Sequence, residues 1–190
     1  MEAFLVSVAI VAVGEIGDKT QLLALLLAAR FRKPVPIIAG ILVATLFNHA
    51  LAALLGGWVR SALDPAVLRW GLGVSFLAIA AWALVPDKLE EKEESPHLGK
   101  YGVFAVTVVA FFLAEIGDKT QLATVALAAR FDSLVAVVAG TTTGMLIADV
   151  PAVLLGEHAS LKLPVKAIRY VAAALFAALG VAVLAGLRIA

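Results

Sequence analysis

Glu15-Ile16-Gly17-Asp18-Lys19-Thr20-Gln21-Leu22 recurs unchanged as Glu115-Ile116-Gly117-Asp118-Lys119-Thr120-Gln121-Leu122. The offset of 100 continues without a gap. Ala28-Ala29-Arg30-Phe31 returns as Ala128-Ala129-Arg130-Phe131, Gly40 as Gly140, and Leu54-Leu55-Gly56 as Leu154-Leu155-Gly156. Two copies of one ancestral unit therefore make up the chain. Each copy of the octapeptide places two carboxylates and a lysine inside an otherwise apolar run, which is the first clue to both fold and chemistry.

The surroundings of the motif identify the solvent. Of 190 residues, 63% are hydrophobic and 15% charged, and the mean hydropathy is +1.03. A soluble domain of this length carries more charge and clear polar helix faces. Six apolar stretches run from about Ala3 to Ala29, Val35 to Trp58, Val67 to Val85, Tyr101 to Ala129, Leu134 to Leu155 and Val165 to Leu187. Each is near or above the roughly 20 residues that a helix needs to cross a bilayer. The runs are continuous rather than alternating, so helices and not barrel strands are expected. The predicted fold is an all-α integral membrane protein: six transmembrane helices arranged as two inverted three-helix repeats. Its parts are residues 1–85 (first repeat), 86–100 (acidic linker) and 101–190 (second repeat). Three spans per repeat is an odd number, so the second copy enters the membrane from the opposite side. Inverted repeats are a transporter architecture, with binding near the midplane where the halves meet.

Charge sets the expected orientation. Loops after spans one, three and five hold Arg30, Arg32, Lys33, Lys88, Lys92, Lys100, Lys162, Lys166 and Arg169, against Arg60, Arg69, Arg130 and Arg188 on the other side. The positive-inside rule then places the linker in the cytoplasm of a cell (inner) membrane protein and both termini outside. Trp58 and Trp70 are expected at the outer interface and Trp82 at the inner one. Met1-Glu2 provides no basic n-region, so the first stretch reads as a permanent span rather than a signal peptide.

Glu15, Asp18, Glu115 and Asp118 fall near the middle of spans one and four, where an ionised side chain costs about 3 kcal/mol on insertion scales. Read as continuous helices, these spans put Glu15 and Asp18 one turn apart on one face, with Lys19 four residues beyond Glu15 and Gln21 three beyond Asp18. Gly17 and Gly117 permit close approach or local unwinding, which would free backbone carbonyls. In the second helix of each repeat, Asn48 and His49 correspond to Ala148 and Asp149, with Pro151 just beyond. An unpaired intramembrane Asp149 is functional by default. Asn48 reads first as a helix-packing hydrogen bonder. His49 is as much a packing residue as a ligand or proton carrier.

Five carboxylates against Lys19 and Lys119 leave an excess of three negatives, which disfavours an anionic substrate. A divalent cation fits, with the carboxylates left over carrying protons. Oxygen ligands from carboxylate, amide, hydroxyl and carbonyl suit Mn2+, Ca2+ or Mg2+ better than Cu+ or Zn2+, with Glu15, Asp18, Gln21, Glu115, Asp118 and Gln121 the candidate metal ligands. Metal entry that expels protons would couple the two fluxes. The bland alternative for the motifs is a structural bridge from Glu15 to Lys19 and from Glu115 to Lys119, although it leaves Asp18 and Asp118 without partners. His97 and His158 read as surface residues, and Ser75, Thr107 and Thr124 as bonded to their own helix backbone.

Several function classes are excluded. The net charge of +1 shows no concentrated basic surface for nucleic acid. The absence of cysteine removes disulfides and thiolate chemistry. No phosphate loop, nucleophile elbow or H-E-x-x-H zinc motif is present, so no enzyme is expected. No ATP-hydrolysing domain is present either, and a gradient must drive transport. A passive cation channel and a small-solute exporter of the amino-acid type remain the alternatives to a cation antiporter. Spans three and six are free to supply a homo-oligomer contact.

A duplicated E-x-G-D-K-T on the first helix of each three-helix half resembles the Gdt1 family, also called uncharacterised protein family 0016. The resemblance covers nearly the whole chain, including the acidic linker. It implies a manganese and calcium transporter that exchanges cation for protons, with manganese export in bacterial members and no cofactor apart from the transported ion. It also implies that Glu15, Asp18, Glu115 and Asp118 are the ion-binding carboxylates, with Thr20, Gln21, Thr120 and Gln121 adjoining. Lacking the extra N-terminal segment of eukaryotic members, the chain is similar to the compact prokaryotic form.

Overall fold

The computed structural model describes residues 1–85, 102–156 and 165–187. The linker at 86–100, His97, His158, Lys162 and Arg188 lie outside the described residues. Eight α-helices and no strand are found among the described residues: α1 Glu2–Glu15, α2 Lys19–Phe31, α3 Pro34–Ala62, α4 Pro65–Ala83, α5 Val103–Glu115, α6 Lys119–Arg130, α7 Leu134–Leu155 and α8 Val165–Leu184. Four of these, α3, α4, α7 and α8, are long and apolar enough to cross a membrane.

Spans one and four differ from their sequence expectation. Neither is one continuous helix. Each breaks at Ile-Gly-Asp, so that α1 and α2, and likewise α5 and α6, are pieces of 14 and 13, and 13 and 12, residues. The break is chemical. Gly17 and Gly117 take φ of +83° and +75°, a left-handed conformation that costs an L-residue roughly 1–2 kcal/mol and glycine almost nothing. Asp18 and Asp118 then adopt extended backbone and cap the next helix. The other boundaries follow the same logic: Pro34 and Pro65 sit in the first turns of α3 and α4, where a missing N–H is harmless.

The two halves exchange partners. α1 packs principally on α7, and α5 packs on α3 with α6 beside it. Each broken helix therefore leans on the long helix of the other half. Matched glycines allow it. A Cβ added at Gly40 would lie 2.7 Å from Thr107 Cβ, and one at Gly140 would lie 2.7 Å from Ser7 Cβ and 2.5 Å from the Phe4 carbonyl oxygen. Thr107 and Ser7 stand at equivalent positions of the two copies, so the crossing is built twice in the same way. Small residues at such crossings bring backbones together where lipid offers no hydrophobic drive. α4 and α8 form a separate pair that crosses at Gly73 and Gly180. Apolar side chains such as Leu5, Phe47, Leu54, Trp70 and Val74 are exposed on the outside, as expected of a protein whose solvent is lipid.

Candidate cation site at the two helix breaks

The breaks, each at the end of one half-helix and the start of the next, meet in the interior. Glu15 is the last residue of α1 and Glu115 the last of α5; Asp18 and Asp118 are the residues that cap α2 and α6. All four carboxylates are buried. Glu15, Glu115 and Asp118 can each offer an oxygen such that the three lie within 4.8 Å of one another.

Local capping holds the geometry. Asp118 N–H donates to Glu115 O at 3.2 Å and Leu122 N–H to Asp118 O at 3.1 Å; Asp18 and Leu22 repeat the pattern at 3.0 and 3.3 Å. Gly17 N–H donates to Gln21 Oε1 at 2.9 Å, and Gly117 N–H to Gln121 Oε1 at 2.8 Å. The two glutamines reach back over their own helix N-termini in the manner of a capping box. Gln21 also donates through Nε2 to Ala148 O at 2.9 Å, tying α2 to α7. Their amides thus engage the backbone that shapes the site. Asp-x-x-Gln is itself a helix-start signal, so residues 18–21 carry the mark of this role, masked by the apolar runs on either side that make span one read as unbroken.

The lysines differ most from the sequence expectation. The break separates Glu15 from Lys19, so the one-face geometry of a continuous helix does not apply. The ion pairs run between halves: Lys119 Nζ lies 2.6 Å from Asp18 Oδ1, and Lys19 Nζ lies 3.4 Å from Asp118 Oδ1. The alternative of a bridge from Glu15 to Lys19 gives way to this crossed pair, which gives Asp18 and Asp118 the partners a same-helix bridge would deny them. A lysine at the start of one half-helix reaches the capping aspartate of the other because the motifs approach head to head.

The threonines converge on one glutamate. Thr20 Oγ1 donates to Glu15 Oε2 at 2.6 Å, and Thr120 Oγ1 donates to Glu15 Oε1 across the interface. Thr120 Oγ1 also lies 3.3 Å from Asp118 Oδ2. Glu115, by contrast, makes no hydrogen bond through either carboxyl oxygen although it is fully buried. A buried carboxyl without a partner is expensive, and one set among other carboxylates is a candidate ligand for a cation.

Asp149 on α7 lines the same interior, and His49 is a buried residue of α3. Both are fully buried, and neither the Asp149 oxygens nor the His49 nitrogens make a hydrogen bond. Asp149 is close enough to Glu15 and Glu115 for their charges to interact. Asn48 donates from Nδ2 to Phe112 O at 3.1 Å, a helix-packing bond between α3 and α5 as its sequence context suggests. Ser75, Thr107 and Thr124 bond to carbonyls of their own helices at 2.8, 2.8 and 2.9 Å. The arrangement suits a hard cation with oxygen ligands: carboxylates in excess, hydroxyls nearby, and the ammonium groups drawn off to the aspartates.

Comparison with known proteins gives one consistent relationship. The family model described as "Divalent cation/proton antiporter GDT1" matches residues 3–91 and 103–188. A protein of Vibrio cholerae serotype O1 named "Putative manganese exporter" is 54% identical over 177 residues, which is 93% of this chain and 87% of that one. A rice "GDT1-like protein 3" is 28% identical over 200 residues, covering 92% of this chain and 71% of that protein. A GDT1-like protein of Synechocystis is 25% identical over 198 residues, with 93% of each chain covered. No solved structure matches.

Proposed function

The chain belongs to the divalent cation/proton antiporter GDT1 family, and from that premise we propose that it exchanges Mn2+, Ca2+ or both for protons by alternating access. The observation that carries this reading is the buried cluster of Glu15, Glu115 and Asp118 oxygens within 4.8 Å, with the Glu115 carboxyl oxygens bare of any hydrogen bond. Glu15, Glu115 and Asp118 bind the ion directly. Asp18 completes the acidic set while Lys119 and Lys19 balance the charge that remains when the ion leaves. Thr20 and Thr120 position Glu15, Gln21 and Gln121 hold the broken backbone open, and Asp149 and His49 are the proton-carrying candidates.

The steps follow from charge. With protons on the acidic set, the site is nearly neutral and tolerable in a low-dielectric interior. A divalent cation entering from one side displaces protons from the carboxylates that ligate it. Once it leaves, the crowded carboxylates take protons again, and the empty site can return. Because a site with an ion or with protons is better tolerated than one with neither, the two fluxes are tied together. Export of manganese is favoured by the name of the bacterial relative at 54% identity.

Six membrane crossings form two inverted repeats in this reading, with each broken pair, α1–α2 and α5–α6, crossing once. Support comes from the repeated helix order and the reciprocal packing of each broken helix on the other half. The repeats are 1–85 and 101–190, the 86–100 linker is cytoplasmic and both termini lie outside. The crossed lysine pairs weigh against a small-solute exporter, since the ammonium groups already face aspartates.

The test is Mn2+ and Ca2+ flux into proteoliposomes under an imposed pH gradient. Parent protein drives uphill flux, and Glu115→Gln and Asp118→Asn abolish it while remaining folded. Downhill flux that ignores the proton gradient would instead establish a channel, and absence of any metal flux would reject the reading.

A further inference from the structure

Two motifs of identical sequence are not used identically. Both threonine hydroxyls hold Glu15, and neither holds Glu115. The Lys119–Asp18 pair is 2.6 Å long and closed from solvent, whereas Lys19–Asp118 is 3.4 Å long with the Lys19 side chain 27% exposed. The same inequality extends to the scaffold. α4 packs on α6 and α8 packs on α1, while the equivalent packing of α8 on α2 and of α4 on α5 is no more than grazing.

Identical sequences in unequal surroundings have a mirror arrangement of the same local chemistry. Thr20 reaches back five residues to Glu15; Thr120 stands in the same relation to Glu115. Thr120 crosses the interface to Glu15; Thr20 can cross to Glu115 by the same route. Every donor and acceptor has its equivalent 100 residues away. The mirror state therefore forfeits nothing in the motifs, and its energy differs only through the residues where the copies diverge.

We propose that Thr20 and Thr120 are a two-seat latch: here both hydroxyls hold Glu15 and leave Glu115 open to the ion, and in a second conformation both hold Glu115 and leave Glu15 open, as the α4–α8 pair moves from α6 and α1 to α2 and α5. The latch rests on the exchange reading above and supplies its moving part. Hydroxyls suit the task, since a hydroxyl rotates to its acceptor and carries no charge from one seat to the other. The threonines act through the glutamates and are positioning residues. Small asymmetries of this kind become discrete states because packed interfaces are bistable rather than continuously deformable.

The chain contains no cysteine, so pairs of spin labels can be placed on it directly. Leu122 and Val74 report the contact between α6 and α4, and their equivalents Leu22 and Ala174 report the contact between α2 and α8; all four positions are exposed. Double electron–electron resonance is measured in lipid nanodiscs on L122C/V74C and on L22C/A174C. Each pair is also combined with Glu15→Gln or Glu115→Gln. A glutamine offers one acceptor oxygen and no charge, so it cannot seat the two hydroxyls on separate, charged oxygens as the carboxylate does. Loss of a charge-assisted bond of ordinary strength shifts a two-state ratio about tenfold or more. The conformer with a short Leu22–Ala174 and a long Leu122–Val74 distance is therefore at least about tenfold richer in Glu15→Gln than in Glu115→Gln. Equal populations, or the opposite order, overturn the proposal. In a Thr20→Val/Thr120→Val background the difference between the glutamines disappears, and in a serine pair it persists. A difference that survives the valines would take the latch away from the threonines. Should the valine background not fold, the glutamine comparison decides alone. The readout needs no flux: a protein that moves no cation yet shows the inversion refutes the exchange reading only, and one that exchanges cation without the inversion refutes the latch only.

Discussion

Replacing Lys119 by methionine removes one end of the crossed ion pair and leaves its aspartate in place. Asp18 is 1% exposed and lies 2.6 Å from the Lys119 ammonium, which is itself 6% exposed. Neither group can turn to bulk water when its partner is removed. Breaking such a pair from one side costs about 3–5 kcal/mol, because an uncompensated charge stays buried. For a chain of this size, about 2–4 °C of melting temperature accompanies each kcal/mol, so Lys119→Met lowers the midpoint by about 6–20 °C. Asp18→Asn removes the charge and keeps a residue type favoured at the N-cap position that Asp18 occupies. The double variant Asp18→Asn/Lys119→Met is therefore more stable than Lys119→Met alone, by about 2 kcal/mol or more, despite carrying one more substitution. The assay is a double-mutant cycle of unfolding in mixed micelles, titrated with a denaturing detergent and repeated by thermal melting. A double variant no more stable than Lys119→Met would refute the argument, since the lysine would then contribute through packing rather than through its charge.

Three further outcomes are expected from the same structure. Gly140→Ala drives a Cβ to 2.5 Å from the Phe4 carbonyl oxygen, a contact only movement of α1 can relieve, whereas Gly71→Ala meets nothing within 4 Å. The first is expected to destabilise by about 1–3 kcal/mol and the second to be neutral or stabilising by up to about 1 kcal/mol, as compared by melting of the purified variants. Gly17→Ala forces an L-residue to φ +83° and loses about 1–2 kcal/mol. Gly17→Asn, which tolerates that conformation better, recovers part of the loss in the same melts. Gln21→Leu removes the bonds to Gly17 N–H and Ala148 O. It costs about 1–3 kcal/mol and speeds amide hydrogen exchange at Gly17 first; an unchanged Gly17 rate would count against the capping role.

Much of the candidate site is legible in the amino-acid order alone. An acidic octapeptide in an apolar run is costly wherever it lies, so its exact duplication points to one centre fed by both copies. Asn48 as a packing hydrogen bonder and Thr107 and Thr124 as local backbone bonders are equally legible, because each depends only on near neighbours in its own helix or on one facing carbonyl. The capping glutamines are in principle legible from Asp-x-x-Gln. Hydropathy hides them, because it averages over the three residues of a break and reports one continuous span.

The sequence by itself determined the membrane class, the helical content, the twofold duplication and the set of candidate ligand carboxylates. Those properties are local or additive: composition, apolar run length and repetition along the chain are enough to establish them. Tertiary structure decided that Lys119 belongs to Asp18 and Lys19 to Asp118, and that Glu15 is held while Glu115 stands bare. No reading of two identical octapeptides could have distinguished their members. Identical strings carry identical local preferences, and a difference between them arises only from what the rest of the fold packs against each.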